Sequence, residues 1–256
     1  MKLPIGQIDK SKYKEYLQDQ LKKQKIMFFL LLFSLPLVLG VMETYAAKYT
    51  KAETSKSITQ PVAFVEVKGK KIVSRGSAFL TGEKTLLTAR HVVEEVKIGG
   101  EVKLIFMELD PQITTSAIVK WKCKSNLEEM DFAVLELVNP SDLPENMPKL
   151  VLGDSDLIAP NDEIKAIGYP NGIFSFTKGI VSSTTIKSTE KEEDLIKIDC
   201  QIHAGNSGGP IILSETGEVI GLAESGYTGK FQGMNFASKI NRFIEVAEEE
   251  GIDLYE

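Results

Sequence analysis

Short runs of β-branched and apolar residues, separated by glycines, recur through the body of the chain. One such run covers residues 61–67, and another covers residues 132–137. This pattern is typical of a protein built from many short strands. Pro140 and Pro144 interrupt strand pairing and indicate a change from one β unit to a second. Once the N-terminal segment is set aside, about 200 residues remain, which is enough for one large all-β unit of two barrels.

One long apolar run, at residues 26–42, stands apart from the strand pattern. As a helix rising ~1.5 Å per residue it could cross a thin bilayer core, for which about 17 residues are the lower limit. Lys22, Lys23 and Lys25 directly precede the run. A lysine excess on one flank keeps that flank in the cytoplasm, so we expect the rest of the chain on the other side of the membrane. A buried core helix is disfavoured because the run has no polar face.

The N-terminal segment has two interpretations. The short apolar run, Pro36 and the small residues Ala46 and Ala47 favour a secretory signal peptide, whose cleavage would release a secreted domain. The lysine-rich leader at 1–25, and an apolar run longer than the hydrophobic region of most signal peptides, favour an uncleaved single-pass anchor, which we prefer. Both place the β domain on the non-cytoplasmic side, periplasmic or extracellular. Residues 43–59 are rich in Lys, Thr, Ser and Ala and are interpreted as a linker.

The C-terminal residues predict an α-helix. Ile240, Phe243, Ile244 and Ala247 share one face of this helix, and Ser238 is a candidate for its N-cap. We expect the apolar face to pack against the second β unit.

Charge and composition exclude several classes of function. The net charge is −6 and no basic stripe is present, so nucleic-acid binding has no electrostatic support. Two cysteines, Cys123 and Cys200, are too few for a disulfide-dense scaffold; we prefer two buried thiols, with a bridge between them as the alternative. No group of Cys, His and carboxylate residues has the spacing of metal ligands. We therefore expect no metal and no other cofactor.

The stretch at 205–210, Gly-Asn-Ser-Gly-Gly-Pro, carries the clearest chemical signal. A serine that attacks an acyl carbon needs a base, and it needs hydrogen-bond donors for the oxygen that becomes negative. Gly205 lets the backbone turn so that the N–H groups of Gly205 and Ser207 converge, forming an oxyanion hole. Gly208 and Gly209 keep side chains out of the space that a substrate backbone needs. A glycine-rich hairpin turn with a solvent-exposed serine is the alternative for this stretch alone.

The base must be one of the two histidines, His91 and His203. His91 follows an apolar strand and a short polar turn, which places it at the rim of a β unit, and we interpret it as the base; a structural histidine is the alternative. His203 lies four residues before Ser207, so its ring would have to fold back over the anion donors. We expect His203 to form a cleft wall or to contact substrate, with a plain loop histidine as the alternative.

The third member of such a site is a buried carboxylate that holds the imidazole in the useful tautomer. Asp131 opens an apolar strand-like run and is costly to bury unless a group such as an imidazole N–H donates to it. An exposed aspartate at the start of a strand is the alternative. Ser155, in Gly-Asp-Ser-Asp, has no following glycines and is interpreted as part of a surface turn.

His91 within Thr-Ala-Arg-His-Val-Val, Asp131 within Asp-Phe-Ala-Val-Leu and Ser207 within Gly-Asn-Ser-Gly-Gly-Pro follow in the order His, Asp, Ser. These motifs resemble the trypsin-like (chymotrypsin-fold) serine proteases, specifically the HtrA/Deg-type branch, over roughly residues 60–245. The resemblance implies an all-β fold of two six-stranded antiparallel β-barrels with the triad in the cleft between them. To these we add the N-terminal membrane helix and the C-terminal α-helix.

The chain is thereby divided into five parts: a cytoplasmic leader (1–25), an apolar span (26–42), a linker (43–59), a first barrel with His91 and Asp131 (60–142), and a second barrel with Ser207 and the C-terminal helix (143–256).

Two features depart from the family pattern. HtrA-type enzymes commonly carry a C-terminal PDZ domain, and we expect none here because the sequence ends at Glu256. Digestive trypsins have aspartate before the serine, paired with a newly cleaved N-terminus, whereas this chain has Asn206. Activation through that ion pair is therefore not expected. The resemblance also implies that a homo-oligomer is a possible state.

The predicted activity is hydrolysis of peptide bonds in polypeptide substrates through an acyl-enzyme. A small or medium apolar side chain is the expected preference, with Glu224 facing the pocket as the alternative. The walls of the substrate pocket are expected from Gln201, Ile202, His203, Ala223, Glu224, Ser225, Gly226, Asn235 and Phe236.

The alternative from another class is a catalytically silent trypsin-like domain that binds peptides or scaffolds a membrane complex. An esterase of the α/β-hydrolase type is excluded, because that fold needs a histidine after the nucleophile and none follows Ser207.

Overall fold

The chain divides into two units, residues 1–54 and 55–256. The apolar run at 26–42, and with it the choice between anchor and signal peptide, lies outside the described residues. In the part of the chain that is described, no helix has the length and apolar character needed to cross a membrane. The computed structural model describes residues 18–23, 55–68, 73–123, 131–187, 192–193, 195–226 and 234–256.

The first barrel is a closed antiparallel sheet of six strands in the order β1-β2-β3-β6-β5-β4. Burial alternates along β4, where Val102, Leu104 and Phe106 point into the barrel and Glu101 and Lys103 face solvent. This alternation is what a strand with one buried face requires. The strands are β1 (Val62–Lys68), β2 (Val73–Leu80), β3 (Thr85–Thr88), β4 (Glu101–Phe106), β5 (Ile113–Lys122) and β6 (Ala133–Leu137).

The second barrel is also closed, with six antiparallel strands in the order β11-β14-β13-β12-β7-β8. A separate two-stranded antiparallel sheet, β9 with β10, lies between β8 and β11 in the sequence. The strands are β7 (Glu163–Gly168), β8 (Ser175–Ser183), β9 (Ile186–Lys187), β10 (Glu192–Glu193), β11 (Leu195–Ile198), β12 (Pro210–Leu213), β13 (Val219–Gly226) and β14 (Asn235–Lys239). The predicted fold class of two six-stranded barrels is confirmed.

Among the described residues, the C-terminal helix is the longest helical segment. Residues 18–23 and 55–59 are helical. Three 3-10 turns (Arg90–Val93, Pro140–Asp142 and Pro170–Gly172) lie between strands, and the C-terminal helix spans Ile240–Glu250.

Each barrel has its own apolar core, and a further apolar cluster joins the two barrels and the C-terminal helix. It unites Phe64 and Phe132 from the first barrel, Tyr169 and Leu222 from the second, and Phe243 from the helix. The helix therefore packs on both barrels, whereas the sequence predicted packing on the second barrel alone. Residues after the helix return to the first barrel, where the main-chain oxygen of Glu256 accepts hydrogen bonds at the start of β3.

The start of the C-terminal helix bears on two sequence-based interpretations. The N–H of Asn241 donates to the hydroxyl of Ser155 (3.1 Å). Ser155 lies in the predicted turn, between the exposed Asp154 and Asp156, but it is itself fully buried. Ser238 does not cap the helix, because its hydroxyl donates to the carboxylate of Glu224 on the neighbouring strand. A serine 86 residues away thus satisfies one of the helix's first N–H groups.

The two cysteines, Cys123 and Cys200, are free and buried, as the composition predicted. Burial raises the pKa of both thiols, that of Cys200 to about 11. Neither side chain is therefore a reactive thiolate near neutral pH.

Candidate active site

The 3-10 turn Arg90–Val93 carries His91 at the rim of the first barrel. Val92 and Val93 on this turn are fully buried and fix it to the barrel core, while the His91 side chain remains 44% exposed. Burial on one side of the turn thus presents the imidazole to solvent on the other, as the sequence pattern predicted for a residue at the rim.

Asp131 lies directly before β6 and binds His91 with both carboxylate oxygens. Oδ1 accepts the backbone N–H of His91 at 2.9 Å, and Oδ2 pairs with ring Nδ1. Burial alone would raise the pKa of Asp131, but hydrogen bonds from His91 and the charges of His91 and Arg90 lower it below its ordinary value. An ionised carboxylate only accepts hydrogen bonds, so Nδ1 of His91 is the donor in this contact, and Nε2 is the ring nitrogen that remains for another partner.

Arg90 is a member of this cluster that the sequence reasoning did not assign. Its Nε lies 4.0 Å from Oδ1 of Asp131, and its Nη1 donates to Glu94 one turn later. Nε is buried and, among the described residues, has no hydrogen-bond partner. The sequence could have indicated this role, because Arg90 is a cation that directly precedes the candidate base His91.

Ser207 lies in the loop before β12 and packs against the first barrel. A Cβ atom at Gly76 would lie 2.9 Å from the carbonyl oxygen of Ser207 and 2.5 Å from a methyl carbon of Val92. Gly76 therefore packs against both the backbone of Ser207 and the side chain of Val92, the residue that follows His91. In this way the structure brings the serine loop of one barrel beside the His91 turn of the other.

The hydroxyl of Ser207 donates to the carbonyl of Glu224 at 2.7 Å. Ser207 is 8% exposed, and its carbonyl accepts the N–H of Ser77 on β2 at 2.8 Å. In this conformation the hydroxyl proton is directed to the strand β13, and His91 pairs with Asp131.

The N–H of Gly205 is directed by the peptide bond that it shares with Ala204. The carbonyl of Ala204 accepts the N–H of Asn171 at 3.1 Å. Because the C=O and N–H of a trans peptide point in opposite directions, this bond turns the Gly205 N–H away from Asn171. Gly205 has a φ of +108°, which a residue without a Cβ adopts readily. Within the described part of the chain its N–H donates to no other group.

The N–H of Ser207 is directed in the same way. The carbonyl of Asn206 accepts the N–H of Gly209 at 2.8 Å, so the N–H of Ser207 points to the other side. This N–H too has no acceptor among the residues described. The N–H of Asn206 donates to the carbonyl of His203 at 2.9 Å and is therefore unavailable to a substrate.

The predicted pocket residues differ in exposure and in their position on the strands. Gln201 and His203 are exposed, whereas Ile202, Ala223 and Phe236 are buried. Ser225 and Gly226 end strand β13, and Gly226 pairs with Asn235 on β14. The Asn235 side chain donates to the carbonyl of Cys200 at 2.5 Å.

Glu224 is the only carboxylate among these pocket candidates, and its carboxylate accepts the hydroxyl of Ser238. Ser238 pairs with Leu222, and Leu222 packs in the cluster between the barrels. The contact with Ser238 therefore holds the Glu224 carboxylate beside this strand pair, where the register of β13 against β14 shifts between Ala223 and Gly226.

Comparisons with known proteins identify the family of the chain. The family described as a trypsin-like peptidase domain matches residues 76–222. A probable periplasmic serine endoprotease DegP-like of Halomonas elongata is 33% identical over 183 residues, which cover 69% of this chain and 35% of the relative. Serine protease HTRA1A of Danio rerio is 30% identical over 210 residues, 75% of this chain and 40% of that protein. The chain thus spans between a third and two fifths of the length of these relatives.

Among solved structures, an HtrA-type protease AlgW with tripeptide superposes with a TM-score of 0.62 and 26% sequence identity. The superposition covers 79% of this chain and 63% of that one. With a family match over more than half of its length, the chain belongs to the trypsin-like peptidase domain family, and it resembles HtrA/DegP-type members.

Proposed function

We propose that this protein is a serine endopeptidase that hydrolyses peptide bonds in polypeptide substrates through an acyl-enzyme. Ser207 is the nucleophile, His91 the general base and acid, and Asp131 the residue that orients His91. The N–H groups of Gly205 and Ser207 stabilise the oxyanion.

In the proposed reaction, rotation about the Cα–Cβ bond of Ser207 turns its hydroxyl from Glu224 to Nε2 of His91. Nε2 takes the proton as Oγ attacks the substrate carbonyl carbon, and the imidazolium then protonates the leaving amine. Water repeats the sequence on the acyl-enzyme and regenerates Ser207. Asp131 stabilises the imidazolium in both halves of the reaction.

The observation that carries the proposal is the pair of directed N–H groups beside Ser207. Both peptide units are held by their carbonyls, Ala204 by Asn171 and Asn206 by Gly209, at 3.1 and 2.8 Å. Donors fixed before the reaction cost no reorganisation as charge develops, which is usually the largest electrostatic contribution to acyl transfer. A turn that served only structure would have no need to keep two N–H groups free.

The sequence and the relatives both support a location of the β domain outside the cytoplasm. The apolar run at 26–42, preceded by lysines, favours a domain outside the cytoplasm, anchored by this segment or released by its cleavage. DegP-like relatives are described as periplasmic serine endoproteases. We therefore propose action on extracytoplasmic polypeptides, and light scattering of the purified protein would give its oligomeric state.

A catalytically silent peptide-binding domain is the second candidate. It is favoured by one observation, the hydrogen bond from the Ser207 hydroxyl to the Glu224 carbonyl instead of to His91. Such a domain would bind peptides and leave them intact.

A serine-directed fluorophosphonate probe separates the two candidates. The endopeptidase predicts covalent labelling of the wild type, no labelling of Ser207→Ala, and parallel loss of cleavage of an unfolded protein substrate. Absence of labelling and cleavage in a wild type that still binds peptide would contradict the proposal and support the silent domain.

A further inference from the structure

We propose that Ser77, on strand β2 of the first barrel, is a positioning residue that holds the anion-stabilising loop of the second barrel in its working conformation. This inference rests on the proposed function. Ser77 itself would touch neither the substrate nor His91 and would act through the main chain of residues 205–207.

The hydroxyl of Ser77 makes two hydrogen bonds to the second barrel. It donates to the carbonyl of Gly205 at 2.8 Å and accepts the N–H of Tyr169 at 3.0 Å. The N–H of Ser77 also donates to the carbonyl of Ser207 at 2.8 Å. Ser77 is fully buried, so water cannot replace these contacts when the hydroxyl is removed. One residue thus contacts the main chain on both sides of Asn206.

The bond to Gly205 fixes the peptide unit that lies between the two anion donors. The carbonyl of Gly205 is held by Ser77, and the N–H of the same peptide, on Asn206, is held by His203 at 2.9 Å. With a φ of +108°, Gly205 is a residue about which a peptide rotates at small steric cost. Without the hydroxyl, a buried carbonyl is left unpaired and gains by turning towards another donor. Such a rotation of the peptide unit moves the N–H groups of Gly205 and Ser207, so that they no longer point towards the same place.

Gly168, at the end of β7, provides the space in which this contact is made. A Cβ at Gly168 would lie 2.9 Å from the hydroxyl oxygen of Ser77 and 2.9 Å from Oδ1 of Asn206. Asn206 is 4% exposed, and its Oδ1 has no hydrogen-bond partner among the described residues. A methyl group at position 168 would therefore push on the positioning hydroxyl and on the loop together. This gives a second variant that tests the same contact from the other barrel.

The experiment compares Ser77→Ala, Gly168→Ala and a matched control in the full-length protein. The control is Thr85→Val, which removes another buried hydroxyl of the first barrel that bonds to a main-chain oxygen, that of Glu256 at 2.9 Å. The measurements are kcat and KM on a peptide substrate, the inhibition constant of a peptide aldehyde with the same sequence, and the folded fraction by circular dichroism. The aldehyde forms a tetrahedral adduct with Ser207 and reports on the anion site.

We expect Ser77→Ala and Gly168→Ala to lower kcat on the order of 10- to 100-fold, somewhat less than the loss of a whole oxyanion donor. KM should change by less than about threefold, because the substrate is held elsewhere. Affinity for the aldehyde should fall in parallel with kcat/KM, and Thr85→Val should retain wild-type values per folded molecule.

The inference is overturned if Ser77→Ala, corrected for its folded fraction, keeps kcat and aldehyde affinity within twofold of Thr85→Val. It is also overturned if KM rises and kcat does not fall. A wild type that is inert to fluorophosphonate contradicts the proposed function and this inference together, whereas an active wild type with an unaffected Ser77→Ala contradicts this inference alone.

Discussion

The ring of Phe243 in the C-terminal helix stacks on the ring of Phe132, with 4.8 Å between the ring centroids and 7° between the planes. Phe132 directly follows Asp131, so the helix supports the strand end from which the acidic member of the proposed triad is presented. Trp121 extends this contact, since its ring lies 5.6 Å from that of Phe243 and its Nε1 donates to Glu250.

Replacement of Phe243 should therefore destabilise the whole fold. Both rings are fully buried, and Phe243→Ala is expected to lower the free energy of unfolding by about 3–5 kcal/mol, the usual cost of such a cavity. Urea denaturation followed by tryptophan fluorescence measures this change. Glu249→Ala on the exposed face of the same helix should stay within about 0.5 kcal/mol of the wild type. A loss below 1 kcal/mol for Phe243→Ala would mean that the stacking is incidental.

The two histidines should respond very differently to substitution. His91→Ala removes the partner of Asp131 and is expected to lower kcat by about 10⁴- to 10⁶-fold, because triad members act as a unit. His203→Ala should lower kcat on the order of tenfold or less, since only its main-chain carbonyl is bonded in the site. Steady-state kinetics of both variants on one peptide substrate measure the two changes in kcat. The reverse order of effects would assign the base to His203.

Asp131 should make stability depend on pH in the acid range. Its pKa is lower in the folded protein than the ordinary value of 3.8, so the unfolded chain takes up protons first as the pH falls. The stabilisation is complete above 3.8 and is lost as the pH falls through the folded-state pKa. The difference in free energy of unfolding between wild type and Asp131→Asn should thus be constant above about pH 5 and shrink below it.

Arg90→Gln provides the matched variant for this titration. The charge of Arg90 is one cause of the lowered pKa of Asp131, so its removal should raise that pKa and move the loss of stability to higher pH. Guanidinium denaturation at a series of pH values measures both effects. If the difference in free energy of unfolding between wild type and Asp131→Asn grew as the pH falls, the pKa of Asp131 would be raised in the folded protein and not lowered.

The buried thiols should be unreactive in the native state. Cys200, with a pKa of about 11, and Cys123, with a raised pKa, are expected to react slowly with a disulfide reagent at neutral pH and to react at once in denaturant. A spectrophotometric thiol assay should count both groups after unfolding without reductant. Failure to count them would indicate a disulfide, and rapid labelling of native protein would contradict their burial.

The strand runs predicted a protein of many short strands, because strand patterns depend on local sequence, and the resemblance to trypsin-like proteases implied the two six-stranded barrels. The turn at Ser155 was predicted, but the burial of Ser155 was not, because its partner Asn241 lies 86 residues away and only the folded chain brings the two together. Ser77 was not recognised for the same reason, since its bonds reach Gly205 and Tyr169 across 128 and 92 residues. Hydrogen bonds between distant segments leave no local pattern.

Gly208 and Gly209, which follow the proposed nucleophile Ser207, limit which substitutions the chain can tolerate. A Cβ at Gly208 would lie 2.4 Å from the carbonyl oxygen of Ser77, and one at Gly209 would lie 2.2 Å from that of Ile167. Both obstacles belong to the main chain, which every residue shares, so no compensating change elsewhere can remove them. In saturation libraries these positions should accept only glycine in any genetic background, and directed evolution towards new substrates must explore the loops around them instead.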